Sequence, residues 1–313
     1  MGGSNITRAL RNQGFDLSER TVRHYLLGLD HDGLTESLGK RGRQITARGK
    51  RELEDARAIE KVGFLAARID QLAYHMDFDL ASRKGSVVIN VSLINKAQLQ
   101  NAVPYIQSVF EAGYSMGNLM TLLRPGERFG SSVVPEKMAG IGTVCSITIN
   151  GVLLAHGVPV QSRFGGVLEL RDGTPKRFVQ IITYEGTSVD PLEVFIGSGM
   201  TKLKAACKTG DGRIGVGFRE IPSDSLGQVR QIESELIKAG LGGFLAIGNP
   251  AQPLLDIPVS EGRAGAIVYG GLNTTAILME TAIKVHSHAL AGVADYKTLF
   301  PYWMLEDRIR KLD

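Results

Sequence analysis

The sequence predicts an α/β chain in two parts, and three observations carry that expectation. Basic residues crowd the first 51 of 313 residues, the remainder repeats an order of strands and helices at an offset near 127, and a strand-rich stretch lies between the copies. Hydrophobic residues make up 43% and charged residues 22%, the balance of a folded globular chain rather than a disordered one. No apolar run approaches the roughly 18–20 residues of a spanning helix, and residues 1–10 lack a charged start followed by an apolar stretch. Neither a membrane span nor a secretory leader is expected, and the cytoplasm is the expected location. Cys145 and Cys207 are too few for a disulfide framework and have no C-x-x-C spacing, so buried thiols are expected, with no metal and no cofactor.

The net charge of +4 is unevenly spread. Residues 1–51 hold ten Lys or Arg against five Asp or Glu, and the rest of the chain holds 26 against 27. A basic head on a near-neutral body suits a polyanionic partner. Residues 6–12 can form a short helix, and Gly14-Phe15-Asp16 breaks it. Ser18 then caps a second helix running to His31, with Val22, Tyr25 or Leu26, and Leu29 at helical spacing for the inside. Arg20, Thr21, Arg23 and His24 fall on the outer, N-terminal face of that helix, which a helix-turn-helix places in the DNA major groove. Gly39-Lys40-Arg41-Gly42-Arg43 is a basic turn between two short extended runs, and Lys40, Arg41 and Arg43 suit phosphate oxygens. Thr46 caps a further helix over 47–58. Helix, turn, helix, basic hairpin and helix in this order predict a winged helix that binds double-stranded operator DNA over residues 1–58. A protein-contact module and a generic RNA binder are the competing readings.

Residues 59–84 read as a linker with an amphipathic helix to His75, its apolar stripe running through Ile59, Val62, Phe64, Leu65, Ile69, Leu72 and Ala73. It either packs on the body or makes a dimer contact, and a dimer suits a helix-turn-helix that reads two half-sites.

The body, 85–313, carries the repeat. Val87-Val88-Ile89-Asn90-Val91 matches Ile214-Gly215-Val216-Gly217-Phe218, and Val109-Phe110-Glu111-Ala112-Gly113 matches Leu236-Ile237-Lys238-Ala239-Gly240, both at an offset of 127. Further on, Gly142 matches Gly265 and Asn150 matches Asn273 at 123. Each copy, about 85–158 and 212–285, reads strand, helix, strand, loop, strand and Asn-capped helix. The segment between them, 159–211, reads as a strand-rich insert with an Asp172-Gly173 hairpin turn and a polar loop over 185–193.

Enzyme signatures are weak. Gly210-Asp211-Gly212-Arg213-Ile214-Gly215 satisfies G-x-G-x-x-G but precedes a strand instead of following one. His286 and His288 share one face of a strand without an acidic or Cys neighbour in sequence, which favours a structural role over metal binding. A basic winged helix joined to a body poor in catalytic motifs points to a transcription factor whose body senses a small molecule, and the expectation is that the chain is not an enzyme. The alternative is a metabolic enzyme acting on a small carboxylic acid with an appended nucleic-acid-binding domain.

The chain resembles the NrpR family of nitrogen-regulatory repressors. The resemblance rests on Leu17-Ser18-Glu19-Arg20-Thr21-Val22-Arg23-His24-Tyr25-Leu26 and the basic wing. In the body it rests on Ser162-Arg163-Phe164-Gly165-Gly166, on Thr183-Tyr184-Glu185-Gly186-Thr187-Ser188-Val189-Asp190-Pro191-Leu192-Glu193, and on the two Asn turns. It implies a repressor of nitrogen-assimilation genes released from operator DNA by the effector 2-oxoglutarate. The sequence starts directly at the first helix of the helix-turn-helix, and it holds one regulatory domain where some members have two. Two carboxylates and a keto oxygen call for a bidentate Arg with hydroxyl or backbone donors. Arg163, Thr187 and Ser188 offer these, and Asn150 and Asn273 offer helix N-termini. The competing reading has Arg163 paired with an acid and both Asn residues acting as caps alone.

Overall fold

The computed structural model describes residues 3–12, 17–39, 42–50, 52, 64–130 and 132–312. The chain divides into two compact units, Met1–Val62 and Gly63–Asp313.

In the first unit, helices α1 (Gly3–Asn12) and α2 (Glu19–His31) precede the paired strands β1 (Thr35–Ser37) and β2 (Arg43–Ile45). Both expected caps are made: Ser18 Oγ accepts from Thr21 N at 3.1 Å, and Thr46 Oγ1 accepts from Gly49 N at 2.9 Å. A Cβ on Gly49 would lie 2.0 Å from the Leu34 carbonyl oxygen, so only glycine lets the helix that starts at Ala47 approach the hairpin. Of the expected inward positions Val22 and Leu26 are buried, whereas Tyr25 and Leu29 are exposed. Gly14 to Asp16, Lys40, Arg41 and the expected continuation of the third helix over 53–58 lie outside the described residues.

In the second unit, α3 (Phe64–His75) comes first, with Leu65, Ile69 and Ala73 buried at helical spacing; Ile59 and Val62 of the expected stripe lie outside the described residues. Two five-stranded antiparallel sheets follow. One has the order β13 (Val285–Asp295), β3 (Ser86–Asn95), β7 (Met138–Val144), β4 (Leu119–Leu123), β14 (Phe300–Pro301). The other runs β11 (Phe244–Pro250), β12 (Arg263–Tyr269), β10 (Gly212–Pro222), β8 (Gln161–Arg171), β9 (Thr174–Thr183). Between these strands come α4 (Lys96–Glu111), α5 (Ile147–Ala155), α6 (Pro191–Gly197), α7 (Leu203–Thr209), α8 (Leu226–Lys238) and α9 (Asn273–Glu280), with the short β5 (Arg128–Phe129) and β6 (Ser132–Val133) inside the first copy and α10 (Leu305–Ile309) closing the chain. Asp172 and Gly173 form the β8–β9 turn with φ of 50° and 70°, the pair of positive values that a two-residue hairpin needs.

The two copies follow the same order of elements and exchange a strand. β3, β4 and β7 correspond to β10, β11 and β12, but the strand that follows each second helix joins the other copy's sheet: β8 pairs with β10, and β13 pairs with β3. Segment 159–211 is therefore not simply inserted, since its first strand is the counterpart of β13. Apolar residues from both copies fill two cores. One gathers Leu65, Ile69, Ile149, Val152, Val229, Ile232 and Leu236, and the other gathers Leu99, Ile106, Phe195, Leu203, Phe218 and Ile277.

The register corrects the repeat by two residues. Ile89 faces Val144 and Val216 faces Tyr269, which sets an offset of 125 for the later elements, so Gly140 is the counterpart of Gly265 and Thr148 that of Asn273. The side chains agree. Thr148 Oγ1 accepts from Val88 N at 3.2 Å and donates to Val88 O at 3.1 Å, while Asn273 Oδ1 accepts from Gly215 N at 2.9 Å and its Nδ2 donates to Gly215 O at 3.0 Å. The residue ahead of α5 is Ser146 and that ahead of α9 is Leu272, so neither Asn150 nor Asn273 caps a helix; each sits within its first turn and points across to a strand.

Candidate functional site

In the head, Arg20, Arg23 and His24 are exposed and Thr21 is half-buried on the N-terminal turns of α2, the arrangement that the helix-turn-helix reading expects. Arg23 also pairs with Glu19 at 2.6 Å and remains open to solvent. Arg43 behaves differently. Its Nε donates to Asp30 Oδ1 at 2.8 Å, its Nη2 also bonds Asp30, and Thr35 Oγ1 reaches the same carboxylate at 2.6 Å. Arg43 therefore locks the hairpin to α2 instead of offering a free guanidinium for phosphate, and this pairing holds the Asp30 carboxyl below its ordinary range.

In the body, buried polar residues concentrate where the two copies meet. Arg219, on β10, is fully buried. Its Nε donates to Asn150 Oδ1, its Nη1 to the Phe218 carbonyl and its Nη2 to Ser146 Oγ, each at 3.2 Å, and its guanidinium lies 5.5 Å from the Tyr184 ring centroid. Among the described residues no carboxylate stands within ion-pair distance of it. Asn150 also donates through Nδ2 to Ser162 Oγ at 2.9 Å. The neighbouring Glu220 accepts from Arg163 Nη1 at 2.6 Å and, among the described residues, its buried Oε2 has no partner.

A small cavity of about 20 Å³ sits against this cluster. Both strand–helix junctions line it, Cys145, Ser146 and Ile147 from one copy and Gly271 and Leu272 from the other, together with Ile69, Asn90, Tyr184 and Asp190. Burial, reinforced by Glu193, pushes the Asp190 carboxyl up to about 6, although it accepts from Leu192 N and Glu193 N as the cap of α6 and the nearby Arg219 charge also draws it down. Burial likewise pushes the Cys145 thiol up to about 11, which suits a thiol that lines a core and does not react.

The expected effector residues thus separate. Arg163 and Asn150 join one buried network through Glu220, Ser162 and Arg219. Asn273 spends its amide on backbone, donating to Tyr114 O at 2.8 Å as well as to Gly215. Thr187 and Ser188 lie on the loop ahead of α6, where Thr187 Oγ1 donates to Val189 O at 3.1 Å and its carbonyl accepts from Leu65 N at 3.3 Å, fastening the loop to α3. Arg163 is in this sense paired with an acid. Tyr184 and Asp190 stand in the motif that carries the family resemblance, where only Thr187 and Ser188 were expected at the site, and Arg219 was not expected there at all. The one signal for Arg219 is a charged Arg219-Glu220 step inside the strand Ile214-Gly215-Val216-Gly217-Phe218-Arg219-Glu220-Ile221.

The family profile for NrpR regulatory domains NRD1 and 2 matches residues 62–300. The chain belongs to the NrpR family. A profile for the Ribonuclease R winged-helix domain matches residues 1–53 of this NrpR-family chain. It is 33% identical over 299 residues to the global nitrogen regulator NrpRI of Methanosarcina mazei, covering 96% of this chain and 92% of that one. It is 29% identical to the global nitrogen regulator NrpR of Methanococcus maripaludis, across 96% of this chain and 52% of the relative, so it spans about half of that longer protein. Among solved structures it is similar to a nitrogen repressor-like protein from Methanococcus jannaschii, with a TM-score of 0.64 at 25% identity, covering 76% of this chain and 98% of that one. Among the described residues of this NrpR-family chain no helix is long and apolar enough to cross a membrane.

Proposed function

We propose that the chain is a transcriptional repressor of nitrogen-assimilation genes that binds operator DNA as a cytoplasmic homodimer and is released when 2-oxoglutarate binds its body. Family membership and the names of the relatives support the regulatory role. The observation that carries the effector reading is Arg219, a wholly buried guanidinium whose hydrogen bonds go to neutral groups, with the Asp190 carboxyl close enough to feel its charge and too far to pair with it. A buried guanidinium without a hydrogen-bonded counter-ion is costly, and an entering carboxylate would supply one in bidentate geometry. Ser146 and Tyr184 are the neighbouring hydroxyls, Asn150 orients Arg219, and Arg163 acts through Glu220. Asn273 is left out of the set because its amide is taken up by backbone.

The cavity of about 20 Å³ has room for a water and not for a five-carbon diacid, so binding requires a wall to move. Ile69 is that wall. It belongs to α3, the first described helix after the head, so a ligand that favours the opened cavity shifts α3 and with it the population of heads competent for DNA. In the head, Arg20, Thr21, Arg23 and His24 enter the major groove, and Lys40 and Arg41 contact phosphate. Gel-shift titration on a palindromic operator tests the proposal. Loss of the shifted band as 2-oxoglutarate rises is expected, and full DNA binding at saturating 2-oxoglutarate would contradict it.

A further inference from the structure

A second cavity in the body has a different chemistry. It is an open groove of about 470 Å³ that includes Ile69 and Asp70 of α3, Val160 and Ser162 at the start of β8, Glu185 after β9, and Arg263 at the start of β12. Its size falls within the range of small-molecule sites. Among the described residues Asp70, Glu185 and Arg263 form no ion pair with one another or with any other group, so charges of both signs face the groove without partners.

Two acids against one guanidinium disfavour a dianion, and the guanidinium disfavours a diamine. A ligand carrying one carboxylate and one ammonium satisfies both signs. We propose that this groove binds an α-amino acid with an uncharged side chain, its carboxylate on Arg263, its ammonium on Asp70 and Glu185, and its side chain along Ile69 and Val160. The fork of Arg263 matches a carboxylate through two parallel hydrogen bonds.

The groove also connects physically to the inner cavity. Ile69 lines both. Ser162 accepts from Asn150 at 2.9 Å, and Asn150 in turn accepts from Arg219 at 3.2 Å. The two cavities thus share a wall and a chain of hydrogen bonds. The site stands independently of the effector reading, because its charges, size and lining are its own.

Calorimetry on the full chain tests this with each of the twenty common α-amino acids, with 2-oxoglutarate and with putrescine as probes. At least one amino acid with an uncharged side chain is expected to bind with a Kd of about 1 mM or tighter. That affinity should fall tenfold or more in both Asp70→Asn and Arg263→Gln, while 2-oxoglutarate alone binds these variants within about threefold of the parent. Arg263→Lys, which keeps the charge and loses the fork, replaces Arg263→Gln if the latter fails to fold and is expected to show the same fall. The proposal is overturned if no amino acid binds, if amino-acid binding is unchanged in the variants, or if putrescine binds in place of the amino acids. Loss of 2-oxoglutarate binding in Arg263→Gln would overturn it too, by giving the groove to the dianion.

Discussion

Arg219 donates to Asn150 across the boundary between the copies, and the positions equivalent to these two residues, Ser92 and Thr275, hold each other through hydroxyls at 2.6 Å. The repeat is symmetric in backbone and asymmetric in charge. One junction carries a buried cation and its amide, while the other carries a neutral pair of short side chains. The buried cation stands at one junction and not at its counterpart, and under the proposed function one 2-oxoglutarate per chain is expected.

Asp190 makes stability depend on pH in an unusual direction. Its folded carboxyl titrates at about 6 against an ordinary 3.8, so between those values the folded chain keeps a proton that the unfolded chain has released. Stability from this group is present below that window and is lost as pH rises through it. The loss is on the order of 1–3 kcal/mol. Asp190→Asn keeps an acceptor for the α6 cap and removes the titration. Thermal unfolding between about pH 4 and pH 7 should show this decline in the parent and not in the variant.

Arg20 and Arg43 should fail differently. Arg20 is exposed on α2, so Arg20→Ala is expected to weaken DNA binding, and if it meets a phosphate the slope of log K against log salt falls by about 0.9. Arg43 is tied to Asp30, so Arg43→Ala is expected to lower the melting temperature of the head and to leave that slope unchanged. Salt-dependent gel shifts and melting curves on the two variants separate these outcomes.

Ile69 is only 2% exposed and lines both the inner cavity and the outer groove. Truncation to alanine removes core packing and enlarges the cavity, costing about 2–5 kcal/mol of stability. Under the effector reading the same change removes part of the barrier to opening. Ile69→Ala is expected to bind 2-oxoglutarate more tightly while unfolding at lower denaturant.

What the sequence made legible follows from the range of each interaction. Ser18 and Thr46 cap helices through residues three positions away, and Asp172-Gly173 makes its turn within four residues, so all three could be read locally. The repeat was visible too, but its later register was displaced by two. Strand side chains alternate with a period of two, so a shift of two keeps every residue on its own face and leaves no conflict in the pattern. The exchange of β8 and β13 was not legible, because the choice of partner strand is settled by tertiary packing. Asn273 looked like a cap because the strand backbone that takes up its amide lies 58 residues away. Arg219 was missed for the opposite reason: a charged residue near a strand end reads as solvent-exposed, and only the packed junction of two copies encloses it.

Calorimetric titration of 2-oxoglutarate into the parent chain and into Arg219→Met decides whether Arg219 anchors the anion in the body. Methionine fills a similar volume, and replacing a buried charge by an apolar side chain often leaves stability unchanged or raised. If Arg219 is that anchor, the parent shows a single site per chain, the variant loses binding by a hundredfold or more, and the affinity of the variant for operator DNA is unchanged. Equal 2-oxoglutarate affinity in a folded Arg219→Met would contradict it.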